Sequence, residues 1–157
     1  MKGSHFFGKI LILKLIKSIY MNSMEKVRIK SEIKKILKTM PNILFAYIHG
    51  SFLKEKFRDI DVAIYLDKEY EYDKKTILKK ELELEEILGR KIKYPVDVRV
   101  LNNSPLSFRF NVIRYGEILF SKNEDVRSDF EALTISEYHD FAYFRRVYMK
   151  EALNLEV

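Results

Sequence analysis

The strongest constraint on this chain lies between two short apolar runs, residues 43–48 and 60–66. Gly50-Ser51 follows the first run, and Asp59 and Asp61 open the second. A short continuous apolar run bounded by turn residues reads as a strand buried on both faces. Side chains alternate along a strand, so residues two apart share a face, and Asp59 and Asp61 would stand about 7 Å apart on one side. Carboxylates held together repel, and burying an unpaired charge is expensive. A divalent cation between them removes that cost. A glycine turn next to it allows a phosphate close to the backbone. The pattern predicts a Mg²⁺ site beside a phosphate-binding turn.

The remaining sequence supplies one domain around this stretch. At 157 residues, 47% of them hydrophobic, the chain can bury a substantial core. Val27, Ile29, Ile33, Ile36 and Leu37 recur at helical spacing over residues 24–39, and Pro41-Asn42 ends that helix. A charged helix follows over residues 74–88, with Gly89 at its C-cap. Residues 96–101 alternate as a strand entered through Pro95. Ser104 then caps a helix with Pro105 at its first position, and Gly116 ends it after Tyr115. Residues 117–121 read as a short strand. From about residue 124 the chain is one long helix or a broken pair, rich in Phe130, Tyr138, Phe141, Tyr143, Phe144 and Tyr148. Such a stripe packs a core and can also form an interface.

The first twenty residues are apolar but interrupted by Lys9, Lys14 and Lys17. That is too short and too charged for a membrane span, and no small-residue cleavage site of a secretory signal follows. The segment reads as a basic amphipathic helix or as an extension upstream of the functional start. The second reading places an extension at residues 1–23 and a single domain at 24–157.

Composition narrows the chemistry. With no cysteine, disulfides and thiolate metal sites are excluded, and three histidines do not make a zinc site. The net charge of +6 favours anionic partners. The lysines are dispersed along helical faces, where they mainly solubilise, and no basic run resembles a nucleic-acid-binding tail. His49 reads as a structural or orienting residue and His139 as a surface or interface residue.

Asp97 adds a third carboxylate. It lies between Val96 and Val98 in an otherwise apolar strand, so it should be buried and costly unless paired or metal-bound. If its strand neighbours that of Asp59 and Asp61, the three form a hard-oxygen cluster of the kind Mg²⁺ takes together with substrate phosphates. Two metals held this way stabilise both attacking and leaving oxygens in phosphoryl or nucleotidyl transfer.

Strand, Gly50-Ser51, short loop, Asp59-Ile60-Asp61-Val62-Ala63 and Asp97 within Pro95-Val96-Asp97-Val98 together resemble the nucleotidyltransferase superfamily, over residues 43–121. The resemblance is to its minimal nucleotidyltransferases. The ending Val126-Arg127-Ser128-Asp129-Phe130-Glu131 and the aromatic helix look like the antitoxin branch, encoded with HEPN toxins, which are ribonucleases. The resemblance implies an α/β (α+β) fold like that of DNA polymerase β, a small mixed sheet flanked by helices with a C-terminal helical extension. It implies a protein adenylyltransferase that moves AMP from ATP onto a tyrosine of the cognate HEPN toxin. Asp59, Asp61 and Asp97 would be catalytic and hold Mg²⁺, two ions in all, while Gly50, Ser51, Lys54 and Arg58 would bind the nucleotide. The setting would be cytoplasmic, with the toxin as partner, an assembly with it, no membrane and no direct nucleic-acid binding. Alternatives are an antitoxin that acts by binding alone, and nucleotidyl transfer to a small molecule or an RNA.

Two features depart from the family pattern. Residues 52–58 form a loop shorter than usual and without glycine, and His49 replaces the commoner aromatic residue before Gly50. The short loop brings Lys54, Lys56 and Arg58 near any triphosphate, where each is as easily a solvated cation as a ligand.

Overall fold

The computed structural model describes residues 3–69 and 72–154, with side chains throughout except at 3–6 and 17–21. Helix α1 (Gly3–Lys38) leads into strand β1 (Ile43–His49), a single 3₁₀ turn (Gly50–Leu53) and strand β2 (Ile60–Leu66). Helix α2 (Lys74–Ile92), strand β3 (Val96–Val100), helix α3 (Leu106–Tyr115), strand β4 (Glu117–Ser121) and helix α4 (Glu124–Ala152) follow. The strands form one mixed sheet in the order β3-β2-β1-β4. β1 runs antiparallel to β2 and β4, while β2 and β3 are parallel. A parallel pair needs a long crossover, and α2 provides it.

Both faces of the sheet are covered, which explains the unbroken apolar runs of β1 and β2. On one face Ile29, Ile33 and Leu37 of α1 and Leu84, Leu88 and Ile92 of α2, each set spaced by four residues, join Ile48, Val62, Ile64 and Val98 in one core. On the other, Phe45, Tyr47, Ala63 and Tyr65 pack with Val112 of α3 and Phe130 of α4. Phe130 lies 5.6 Å from the Phe45 ring and 5.0 Å from Tyr65. The Tyr47 hydroxyl donates to Glu131, whose carboxylate is also held by Arg127 at 2.8 Å. This polar link joins the Phe130 packing in seating α4 on the sheet.

Several local expectations are corrected. Gly89 does not end α2; the buried stripe continues to Ile92, and Lys93 closes the helix in the left-handed conformation at φ 64°. Ser104 does not cap α3. Its hydroxyl turns back to Leu101 O at 2.9 Å, and Pro105 takes the N-cap position without a side-chain bond. Strand β2 starts at Ile60, leaving Asp59 in the bend before it.

α1 runs unbroken across the boundary drawn at residue 24. In its first half Phe7, Leu11, Ile12, Leu13, Leu15 and Ile16 are all exposed. Among the described residues no helix is long and apolar enough to cross a membrane. α4 is a single helix, capped by the Asn123 side chain accepting from Val126 N at 3.1 Å. Its aromatic stripe divides: Phe130 joins the core and Tyr138 stacks on Phe110 at 3.7 Å, whereas Phe141, Tyr143, Phe144 and Tyr148 are exposed.

Candidate active site

The register of the sheet brings the chemistry-bearing residues into one row. His49 at the end of β1 pairs with Asp61 of β2, and Asp61 pairs with Asp97 of β3. Gly50 follows His49 at φ +74°, a left-handed backbone that side chains disfavour. It is also packed against the carboxylate row: a Cβ at this position would lie 2.2 Å from Asp61 Oδ2. Ser51 is turned to the same group of residues, its hydroxyl donating to Asp59 Oδ1 at 3.1 Å.

The three carboxylates feel one another. Burial raises the Asp61 carboxyl above the ordinary aspartate range; the charges of Asp59 and Asp97 raise it further, and Arg99 pulls it back. Asp97 is less buried than its apolar strand suggests, its side chain being 45% exposed. Arg99, two residues on along the same face, stands with Nε 3.6 Å from Asp97 Oδ1. The expected burial of Asp97 is thus corrected: this end of β3 opens into a cleft. Among the described residues no three His, Cys, Asp or Glu side chains are gathered closely enough to hold a metal ion.

Two clefts meet at His49 and Phe108, whose rings are edge to face at 5.5 Å. The first, about 620 Å³, lies over β2 and β3 and is lined by Asp61, Asp97 and Arg99, by Ile77, Leu78 and Glu81 of α2, and by Pro105 and Phe108. The second, about 530 Å³, lies on the β1 side and is lined by Gly50, Ser51, Leu53, Lys54, Asn111 and Tyr115. Burial holds the His49 imidazole below its usual range, against the pull of Asp97. Its Nε2 is buried without a hydrogen-bond partner among the described residues.

The structure thus gathers Gly50, Ser51, Asp59, Asp61 and Asp97, with Lys54 at the edge of the second cleft. Lys56 and Arg58 are exposed, and neither lines these two clefts. His139 is exposed on α4.

Residues with no signal in sequence also shape the site. Glu85 and Glu81 of α2 accept the N–H groups of Val98 at 3.1 Å and Val100 at 2.9 Å, closing the free edge of β3. Their one-turn spacing on a highly charged helix reads as an ordinary solvated face. Glu85 sits beside Asp97, and burial is the main cause of its raised carboxyl pKa.

A glycine turn on β1 facing aspartates on β2 and β3 is the arrangement of a nucleotidyltransferase. The profile of the family described as Polymerase beta, Nucleotidyltransferase matches residues 31–125, and the chain belongs to that family. Several solved structures share the fold. The tri-AMPylated Shewanella oneidensis HEPN toxin in complex with MNT antitoxin aligns at 21% identity and TM-score 0.63, covering 82% of this chain and 98% of that one. The toxin-antitoxin MntA-HepT aligns at 21% identity and TM-score 0.61, over 80% and 97% of the two chains. A toxin-antitoxin structure with AMP-PNP aligns at 21% identity and TM-score 0.62, over 79% and 98%. No curated protein matches the chain in sequence.

Proposed function

We propose that this protein is a Mg²⁺-dependent protein adenylyltransferase, an antitoxin that moves AMP from ATP onto a tyrosine of a cognate HEPN toxin. The observation that carries the reading is the row formed by Gly50, in the turn after β1, with Asp61 of β2 and Asp97 of β3. It rests as well on the shared fold of the MNT antitoxin found with a tri-AMPylated HEPN toxin and of the structure with AMP-PNP.

The row gives the reaction a direction. Gly50 and Ser51 take the phosphates on the β1 side, with Lys54 adding positive charge from the cleft edge and Arg58 from the loop. Displacement at phosphorus runs in line, with attacking and leaving oxygens on opposite sides. The acceptor therefore enters from the β3 side, through the cleft whose apolar wall of Ile77, Leu78, Pro105 and Phe108 suits a tyrosine ring. Asp97 takes the phenolic proton as the oxygen bonds to the α-phosphorus. The bond from that phosphorus to the bridging oxygen breaks, and pyrophosphate leaves on the β1 side. His49, wedged against Phe108 between the clefts, keeps the two substrates apart.

Asp59, Asp61 and Asp97 supply hard oxygen donors of the type Mg²⁺ takes, although they are not drawn together into an ion-holding cluster in this structure. Asp59, Asp61 and Asp97 would hold the metal, two ions in all, and it would neutralise phosphate charge and polarise the reacting phosphoryl group. The exposed aromatic end of α4 offers the toxin a docking surface. A reaction that uses ATP on such a toxin would run in the cytoplasm.

The test is incubation of the purified protein with Mg²⁺, ATP and the HEPN protein encoded beside it, followed by mass spectrometry of the toxin. AMP on a toxin tyrosine is expected, and Asp97→Ala should abolish it. Equal transfer by wild type and Asp97→Ala would contradict the mechanism. Full protection of cells by an Asp59→Ala, Asp61→Ala double variant would favour an antitoxin acting by binding alone.

A further inference from the structure

The glycine-free turn after Gly50 is held from outside, by α1. Lys54 N donates to Ser51 O at 2.9 Å, closing the turn. The Lys26 ammonium donates to the Lys54 carbonyl and stands 5.6 Å from the ring centroids of both Phe52 and Phe57. One helical turn earlier, Asn22 Nδ2 donates to the next carbonyl, that of Glu55, at 2.7 Å. Below the turn, the buried Phe52 meets Phe57 edge-on at 4.8 Å, and Phe57 leans on Tyr94 at 5.3 Å.

A trans peptide points its N–H opposite to its C=O. With the carbonyls of Lys54 and Glu55 drawn to α1, the N–H groups of Glu55 and Lys56, which share those peptide planes, face away from α1. Among the described residues neither has a hydrogen-bond partner. Backbone donors held in this way suit a phosphate chain. We propose that Asn22 and Lys26 are positioning residues for a phosphate-binding turn, doing from α1 what a longer glycine-bearing loop does from within. This rests on the nucleotide reading above. It also gives a task to Asn22, which lies in the segment that sequence alone assigned to an extension.

The experiment measures binding of AMP-PNP and of AMP, both with Mg²⁺, to wild type, Asn22→Ala, Lys26→Met and Lys26→Arg. Methionine keeps an apolar stem over the two rings and loses the hydrogen bond. Lys26→Met is expected to weaken AMP-PNP about tenfold, the size of one lost charge-assisted hydrogen bond, and to leave AMP unchanged. Lys26→Arg should restore binding. Amide exchange at residues 54–56 of the free protein should quicken in Asn22→Ala and in Lys26→Met. Unchanged AMP-PNP binding and unchanged exchange in Lys26→Met would overturn the clamp, as would equal weakening of AMP and AMP-PNP. A wild-type protein that binds no AMP-PNP would instead contradict the nucleotide reading itself.

Discussion

Gly50 and Asp61 form one packed unit: the glycine leaves no more room than its own hydrogen beside the Asp61 carboxylate. Gly50→Ala therefore meets two penalties. The φ of +74° costs an alanine about 1–2 kcal/mol, and its methyl collides with Oδ2 unless Asp61 moves. With Asp61 in the proposed catalytic role, a displacement of about 1 Å costs about 100-fold in rate. Gly50→Ala is expected to lower both urea stability and single-turnover transfer. Adding Asp61→Ala should recover part of the stability and none of the rate. Strict additivity of the two substitutions in stability would contradict the contact.

The crowding of Asp59, Asp61 and Asp97 should be visible in metal binding. A ligand at ten times its Kd stabilises the folded state by about 1.4 kcal/mol. Millimolar Mg²⁺ is expected to raise the Tm of wild type by a few degrees and to leave the Asp59→Ala, Asp61→Ala double variant unmoved. Calorimetry with and without Mg²⁺ checks this, and an equal shift in both proteins would place the cation elsewhere.

Tyr47 gives the alkaline limb of stability. Burial raises its phenol far above the ordinary range, and the bond to Glu131 adds to the effect. A group raised on folding contributes stability that is complete below its unfolded value, about pH 10 for tyrosine, and is lost as pH rises beyond it. Tyr47→Phe is expected to cost about 1 kcal/mol at neutral pH. Above about pH 10 the variant should then lose stability less steeply than wild type. Urea unfolding across that range is the measurement, and parallel curves would contradict the assignment.

Glu81 and Glu85 protect the exposed edge of β3. Replacing both with alanine frees the N–H groups of Val98 and Val100 and leaves a strand edge open to pairing with a second chain. Light scattering should show concentration-dependent association of the double variant and a monodisperse wild type. A double variant as monodisperse as wild type would contradict the protective role.

The strands were legible because an apolar run walled by turn residues has few other homes, and the Gly50 turn and Asp61 were legible with them; Asp59 was not, because it stands in the bend before β2 rather than on the strand face. That Asp61 and Asp97 stand side by side was not, because only the parallel pairing through α2 makes them neighbours. Helix ends failed where tertiary burial overrode local signals: Ile92 has a core to fill, so α2 runs past Gly89. Ser104 failed for a related reason, its hydroxyl being committed to Leu101 in the turn before α3. Asn22, Lys26, Glu81 and Glu85 left no trace in the sequence pattern. Each acts on backbone distant in sequence, and periodicity records only which face of a helix is apolar.

The proposed reaction transfers the adenylyl group by attack at the α-phosphorus, with the phosphates on the β1 side and the acceptor beside Asp97. Parallel reactions with ATP labelled at the α- or the γ-phosphate, with Mg²⁺ and the cognate HEPN protein, test it most directly. The account predicts label on the toxin from α-labelled ATP alone, with pyrophosphate released in step. Label from γ-labelled ATP, or none from either, would contradict it.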